Sequence, residues 1–174
     1  MKVIVLLDQI QAGLGGKEKG DTPLGGKKLA MGAGDTLDKA LKKMDSEIIG
    51  TFYCGTDYYQ ANKAEVNRKV AKMSEKMGAD VVIAGPTYDY RDFSTMACEL
   101  AATIQKETTI PVVGLTAIEK NADLIQQYQD QITIVKMPKK GGTGLSDSID
   151  HALQLCKMKV EGADFTDFIN HYCY

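Results

Sequence analysis

The sequence has little that could hold a metal ion or a disulfide framework. Its four cysteines, Cys54, Cys98, Cys156 and Cys173, are far apart and form no C-x-x-C pair, which argues against a zinc knuckle, a dithiol redox motif and a stapled secreted scaffold. His151 and His171 have no ligand-spaced neighbours, so no metal site is expected. Basic charge is not in surplus: 21 Lys and Arg stand against 23 Asp and Glu, spread along the chain. A phosphate backbone selects the opposite balance, and no nucleic-acid partner is expected. Long apolar runs are also missing. The first, Val3-Ile4-Val5-Leu6-Leu7, ends at Asp8 and is too short for a signal-peptide core or a membrane span. A cytoplasmic protein without membrane contact is therefore expected. No internal repeat or low-complexity linker interrupts the chain.

Glycine, by contrast, is concentrated in one place. Eight of the 17 glycines fall between Gly13 and Gly34, directly after the first apolar run. Such backbone turns sharply and tolerates close approach, so the segment is expected to form part of a binding site. A length of 174 residues at 44% hydrophobic composition suits one buried core, and residues 1–174 are expected to form a single α/β domain.

Five short β-branched-rich runs punctuate the sequence: Val3 to Leu7, Ile48 to Tyr53, Val81 to Ala84, Pro111 to Leu115 and Ile132 to Val135. They are continuously apolar rather than alternating, as in strands buried on both faces of a parallel sheet. Helical stripes lie between them. Leu37, Ala40 and Leu41 follow a capping Asp35, and Val66, Val70, Met73 and Met77 repeat until Gly78 stops them. Phe93, Met96, Ala97, Leu100, Ala101 and Ile104 follow Asp92 as a cap. Shorter helical patterns run from Asn121 to Tyr128, through Leu145, Ile149, Leu153 and Cys156, and from Phe165 to Tyr172. This alternation predicts a three-layer α/β/α sandwich around a doubly wound, mostly parallel five-stranded sheet of flavodoxin-like order 2-1-3-4-5. Ligands of such sheets bind beyond the carboxyl ends of the strands, where the winding reverses between the first and third. The glycine loop, Cys54-Gly55-Thr56-Asp57, Gly85-Pro86, Gly114-Leu115-Thr116 and Pro138 to Gly144 all leave strands at that edge.

Nucleotide motifs fail on spacing. Gly15 and Gly20 are followed by Asp21 where a P-loop needs Gly-Lys-Ser/Thr, and the dinucleotide fingerprint lacks its third glycine and its immediate turn into a helix. No cofactor is expected. Gly141-Gly142-Thr143-Gly144 precedes a helix and fits either an anion site or a plain loop capped by Thr143 or Ser146. Cys54 is the cysteine placed for catalysis, the alternative being an ordinary buried strand-end residue. Asp89-Tyr90-Arg91 offers a carboxylate, a phenol and a guanidinium at the crevice mouth, where Arg91 could clamp a substrate carboxylate or simply begin a surface helix. Lys17, Glu18 and Lys19 form a solvated charge run unless the loop folds over a ligand.

The order of these pieces resembles the selenoprotein B component of the glycine, sarcosine, betaine and D-proline reductases of amino-acid-fermenting anaerobes. The matching residues are Gln9 with Gly15-Gly16-Lys17-Glu18-Lys19, then Gly32 and Gly34, and Cys54-Gly55 with Tyr58 and Asn62. Ala84-Gly85-Pro86, Tyr88, Arg91, Phe93, Ala97-Cys98, Ile110-Pro111-Val112 and Gly114 follow. The resemblance covers nearly the whole chain but only the amino-terminal half of the family, without its selenocysteine domain. It implies an oxidoreductase subunit, or a stand-alone relative, that is not catalytic alone and contributes to substrate or partner binding in reductive deamination. Implied partners are a small amino acid or amine, the selenocysteine-containing half, a pyruvoyl subunit and selenoprotein A, with a homo-oligomer also possible. Cys54 is the implied thiol. Gln9, Gly15, Gly16, Lys17, Glu18, Asp57, Tyr58, Gly85, Pro86, Tyr88 and Arg91 are the implied binding residues. Two other readings stay open: a non-catalytic small-metabolite binding module, and a flavodoxin-like electron carrier.

Overall fold

The computed structural model describes residues 1–174. Strand β1 (Lys2–Asp8) is followed by the glycine loop, a single 3-10 turn at Lys17–Lys19, and a short strand β2 (Gly25–Lys27). The chain continues through α1 (Gly34–Lys42), β3 (Glu47–Cys54), α2 (Thr56–Ala61), α3 (Lys63–Lys76), β4 (Val81–Ala84) and α4 (Arg91–Glu107). It ends with β5 (Val112–Thr116), α5 (Ala122–Tyr128), β6 (Thr133–Lys136), α6 (Leu145–Glu161) and α7 (Thr166–Tyr172). The sheet order is β2-β3-β1-β4-β5-β6. β1 pairs in parallel with β3 on one side and β4 on the other, and β5 and β6 continue the parallel set.

The five expected strands thus take the expected flavodoxin-like order, and the sandwich holds. The sheet has six strands rather than five, because the glycine loop itself adds β2 antiparallel to β3 at the edge. Gly25-Gly26-Lys27 has no strand propensity of its own. It pairs because glycine lets its backbone lie directly against aromatic side chains of β3: a Cβ on Gly25 would come within 2.6 Å of Tyr53 Cζ, and one on Gly26 within 2.8 Å of Phe52 Cδ1.

The central strands are apolar for a simple reason. Val3, Ile4, Val5, Val81, Val82, Ile83 and Val112 are all fully buried, because helices cover both faces of the sheet. Each such side chain contributes on the order of 1.5–3 kcal/mol of transfer free energy. α1 packs beside α6 over one face, and α3, α4 and α5 lie side by side over the other. α4 buries Phe93, Met96, Ala97, Leu100, Ala101 and Ile104 as its periodicity predicts.

Three local expectations need correction. Asp35 and Asp92 are not caps; each lies in the first turn of its helix, α1 starting from Ala33 and α4 from Tyr90. There a carboxylate still complements the positive end of the helix dipole. On α3 the buried face is Val66, Val70, Ala71 and Ser74, while Met73 is exposed. Ser74 can be buried because its hydroxyl donates to the Val70 carbonyl at 2.8 Å. Finally, neither Thr143 nor Ser146 caps α6, whose N-terminus is Gly144 in a left-handed conformation.

Candidate binding crevice

At the carboxyl end of β1, where the sheet winds toward β3 on one side and β4 on the other, lies a cavity of about 520 Å³. Each flanking element supplies part of its wall. Asp8 ends β1, Gln9 and Ile10 follow it, and Lys17 comes from the glycine loop. Thr56 and Asp57 open α2, Asp89 to Phe93 lead into α4, and Lys120 follows β5. This is where a doubly wound sheet binds ligands.

Backbone and amide contacts fix the rim. Gln9 is buried; its side-chain oxygen accepts from the Thr56 N–H at 3.3 Å, and its amide nitrogen lies 3.5 Å from the Gly16 carbonyl. One side chain therefore ties the end of β1 to the glycine loop and to the start of α2. The Gly16 N–H donates to Glu18 at 2.9 Å, closing that turn and holding the Glu18 carboxyl below its ordinary range. Opposite, the Gly85-Pro86 turn and Thr87 are buried behind the wall. Thr87 Oγ1 donates to Thr116 Oγ1 at 3.0 Å and accepts from Ser94 Oγ at 2.9 Å, a buried hydroxyl chain joining β4, β5 and α4. Asn121 donates to the carbonyls of Tyr88 and Ala117 at 3.3 and 3.0 Å, anchoring the next loop.

The charges in the cavity divide into paired and unpaired groups. Arg91 makes a bidentate pair with Asp123, pulling that carboxyl down to about 2, and also donates to the Lys120 carbonyl at 3.0 Å. Its planar fork is thereby occupied. Lys120 pairs with Asp89 at 3.2 Å, and Asp89 also accepts the Lys140 N–H at 2.9 Å, which draws the loop after β6 to the rim. Lys140 lies over the Tyr88 ring at 4.7 Å. Asp57, Asp92 and Lys17 carry no ion pair. Asp8 is only 2% exposed; the Gln11 N–H donates to its Oδ1 at 2.7 Å, the Ile10 N–H also faces the carboxyl, and no side chain donates to it. Burial pushes its carboxyl up to about 6.

Of the residues expected at the site, Gln9, Lys17, Asp57 and Arg91 line this cavity. Gly15, Gly16, Glu18, Gly85, Pro86 and Tyr88 in the flanking loops, and Tyr58 in α2, are not among its lining residues. Cys54 is buried under the rim beside Asp8, its register partner, with its thiol pushed up to about 12 by desolvation. Burial likewise raises Cys98 and Cys156 to about 12 and Cys173 to about 11. All four are free thiols held protonated at neutral pH. At pH 7.5 the native protein is expected to react with iodoacetamide at least about a hundredfold more slowly than free cysteine, with full reactivity returning in denaturant. Labelling of native Cys54 at the free-thiol rate would contradict this.

Sequence reasoning passed over Asp8 and Lys120. A lone carboxylate closing a fully apolar strand at the winding reversal marks the position of Asp8 but not its burial; Lys120 leaves no signal. A larger cavity of about 640 Å³ lies elsewhere, where Lys2, Lys27, Lys28 and Lys76 surround Met73 and Met77 beside β2 and β3. It holds no buried titratable group and lies away from the strands' carboxyl ends, so the crevice is the stronger candidate.

Fold and site together define a doubly wound α/β domain with a charged crevice at its switch point. Within that class, the family model for glycine/sarcosine/betaine reductase selenoprotein B matches residues 1–170, and the chain belongs to that family. The glycine reductase complex component B subunit gamma of Peptoclostridium acidaminophilum is 27% identical over 159 residues, covering 90% of this chain and 36% of that protein. Its counterpart from Carboxydothermus hydrogenoformans is 28% identical over 134 residues, 77% of this chain and 30% of that protein. The sarcosine reductase complex component B subunit beta of P. acidaminophilum is 25% identical over 162 residues, 93% of this chain and 36% of that protein. The chain thus spans about a third of the length of these curated relatives. No solved structure matches it. No helix is long and apolar enough to cross a membrane.

Proposed function

We propose that this chain, as one α/β domain, serves a reductase complex of the glycine, sarcosine, betaine or D-proline type as a component-B subunit or relative. In this reading its crevice receives a small amino acid or amine, and its rim loops meet the partner chains. The observation that carries this reading is the charged crevice at the switch point of a chain matched over residues 1–170 by the component B family. Reductive cleavage of a C–N bond needs an electron donor and an activated substrate. In this reading those parts are supplied by a selenocysteine-containing half, a pyruvoyl subunit and selenoprotein A. Cys54 is the candidate thiol of this domain, and because burial holds it protonated, thiolate chemistry there requires the partner chains to open its surroundings.

The test is reconstitution. The purified chain is mixed with a B-type carboxyl-terminal half and the remaining complex subunits, and association and amine-dependent turnover are measured. Association with turnover is expected, and neither occurring would overturn the reading. In the same assay, Cys54→Ser separates the thiol role from binding. Loss of turnover supports a reacting thiol, whereas unchanged turnover leaves the domain a binding module without chemistry of its own, the reading that the protonated thiol favours.

A further inference from the structure

We infer that Asp8 is the ammonium receptor of the crevice, and that the site selects amines bearing N–H groups, primary and secondary, over quaternary ones. This rests on the proposed binding of a small amino acid or amine. Asp8 is an almost wholly buried carboxylate at the end of β1 that borders the cavity; backbone N–H groups of its own turn, Gln11 foremost at 2.7 Å from Oδ1 and then Ile10, face it, but no side-chain donor and no ion pair reaches it. A carboxylate so placed has spare acceptor capacity and no cation beside it in the protein. A ligand ammonium supplies both the charge and the donors.

The surroundings fit a small zwitterion. Among the other cavity groups, Arg91 is tied to Asp123 and Lys120 to Asp89, which leaves the carboxylates of Asp57 and Asp92 and the ammonium of Lys17 without ion-pair partners. Negative charge therefore dominates around Asp8, and Lys17, on the glycine loop, is the free cation for the ligand's carboxylate. A quaternary ammonium has no N–H to give Asp8 and is ordinarily held by a cage of aromatic faces. The cavity has two aromatic residues, half-buried Tyr90 and Phe93, and Phe93 is packed into the core at 1% exposure. Two such rings, one of them sealed in the core, do not make a cage.

Titration calorimetry on the full chain tests this with glycine, sarcosine and betaine as probes. Glycine and sarcosine are expected to bind at least about tenfold more tightly than betaine, the low end of what a charged hydrogen bond contributes. Asp8→Asn keeps an acceptor for the Gln11 N–H and is expected to fold, but to lose glycine and sarcosine affinity by at least about tenfold. Since burial raises the Asp8 carboxyl to about 6, wild-type affinity should climb as pH rises from 5 to 7, and the Asn variant should lack that rise. The same pH series on Asp57→Asn, Asp92→Asn and Lys17→Gln is expected to keep it, assigning the titration to Asp8. Betaine binding as tightly as sarcosine, or Asp8→Asn binding glycine like wild type, overturns the inference. If no amine binds while reconstitution succeeds, the receptor assignment falls and the subunit reading stands. If both fail, the subunit reading falls as well.

Discussion

Asp8→Asn is expected to make the protein more stable at neutral pH, by up to about 3 kcal/mol, while having almost no effect at pH 4. The physical reason is the environment of Asp8. Its carboxyl ionises at 3.8 in the ordinary state and at about 6 when buried, because the apolar end of β1 desolvates the charge more than the Gln11 and Ile10 N–H groups compensate for it. The folded chain therefore holds a proton that the unfolded chain releases between those values. Stability from this group is complete below pH 3.8 and is lost as pH rises through about 6. A shift of roughly two pKa units at about 1.4 kcal/mol each sets the size. Asn is neutral throughout and avoids the penalty.

Other carboxylates act in the opposite direction. Asp38, Asp89 and Asp123 are held below their ordinary range by Lys42, by the Lys140 N–H with Lys120, and by Arg91, and they contribute stability that is lost as pH falls. The informative quantity is thus the difference between variant and wild type in parallel denaturant titrations at pH 4, 5, 6 and 7.5. A difference that stays near zero at pH 7.5 would show that Asp8 ionises normally. A stabilising substitution in a crevice is what a site that keeps a charge for its ligand should give.

The same residue shows where sequence reasoning stops. The parallel order was legible because Val3 to Leu7, Val81 to Ala84 and Val112 to Leu115 are apolar at every position, a pattern that only two-sided burial explains. The gathering of loops at one edge followed from that order, and it places Lys17, Asp57 and Arg91 around one cavity. Asp8 was not legible as a buried charge. In sequence, an acidic residue after an apolar run marks a strand end; its burial follows from where the fold places that end, opposite Cys54 of β3 and at the floor of the cavity that α2 and α4 also wall. The pairing of Arg91 with Asp123 was hidden for the same reason, since 32 positions separate the partners. β2 was hidden by its glycines, whose pairing depends on Phe52 and Tyr53 rather than on their own propensity. The stripe on α3 held at Val66 and Val70 and failed at Met73, because Ser74, polar by type, satisfies its hydroxyl within the helix and can turn inward.

Gly55→Ala is expected to destabilise the protein by about 3 kcal/mol and to free the distal glycine loop from the sheet. Gly55 has φ -63 and ψ 138, a conformation open to any residue, so the cost is spatial rather than conformational. A Cβ there would run into the Gly20 carbonyl oxygen and come within 2.6 Å of the Thr22 nitrogen, both backbone atoms with no flexible side chain to give way. These atoms belong to a staple between the loop and α2. The Gly55 N–H donates to the Thr22 carbonyl at 2.8 Å, and the Gly20 carbonyl accepts from the Asp57 and Tyr58 N–H groups at 2.9 and 3.0 Å. The last two are first-turn helix donors with no partner inside α2, so displacing Gly20 leaves them unpaired as well. The loop that presents Lys17 to the crevice would then be held mainly by Gln9. Two measurements check this: the denaturant midpoint should fall, and limited proteolysis should begin to cleave between residues 13 and 24 at protease levels that leave the wild type intact. Because Asp8 lies on β1, outside the staple, the pH dependence of stability it produces should survive in Gly55→Ala. Loss of that dependence together with the loop would show that the two halves of the crevice do not respond independently.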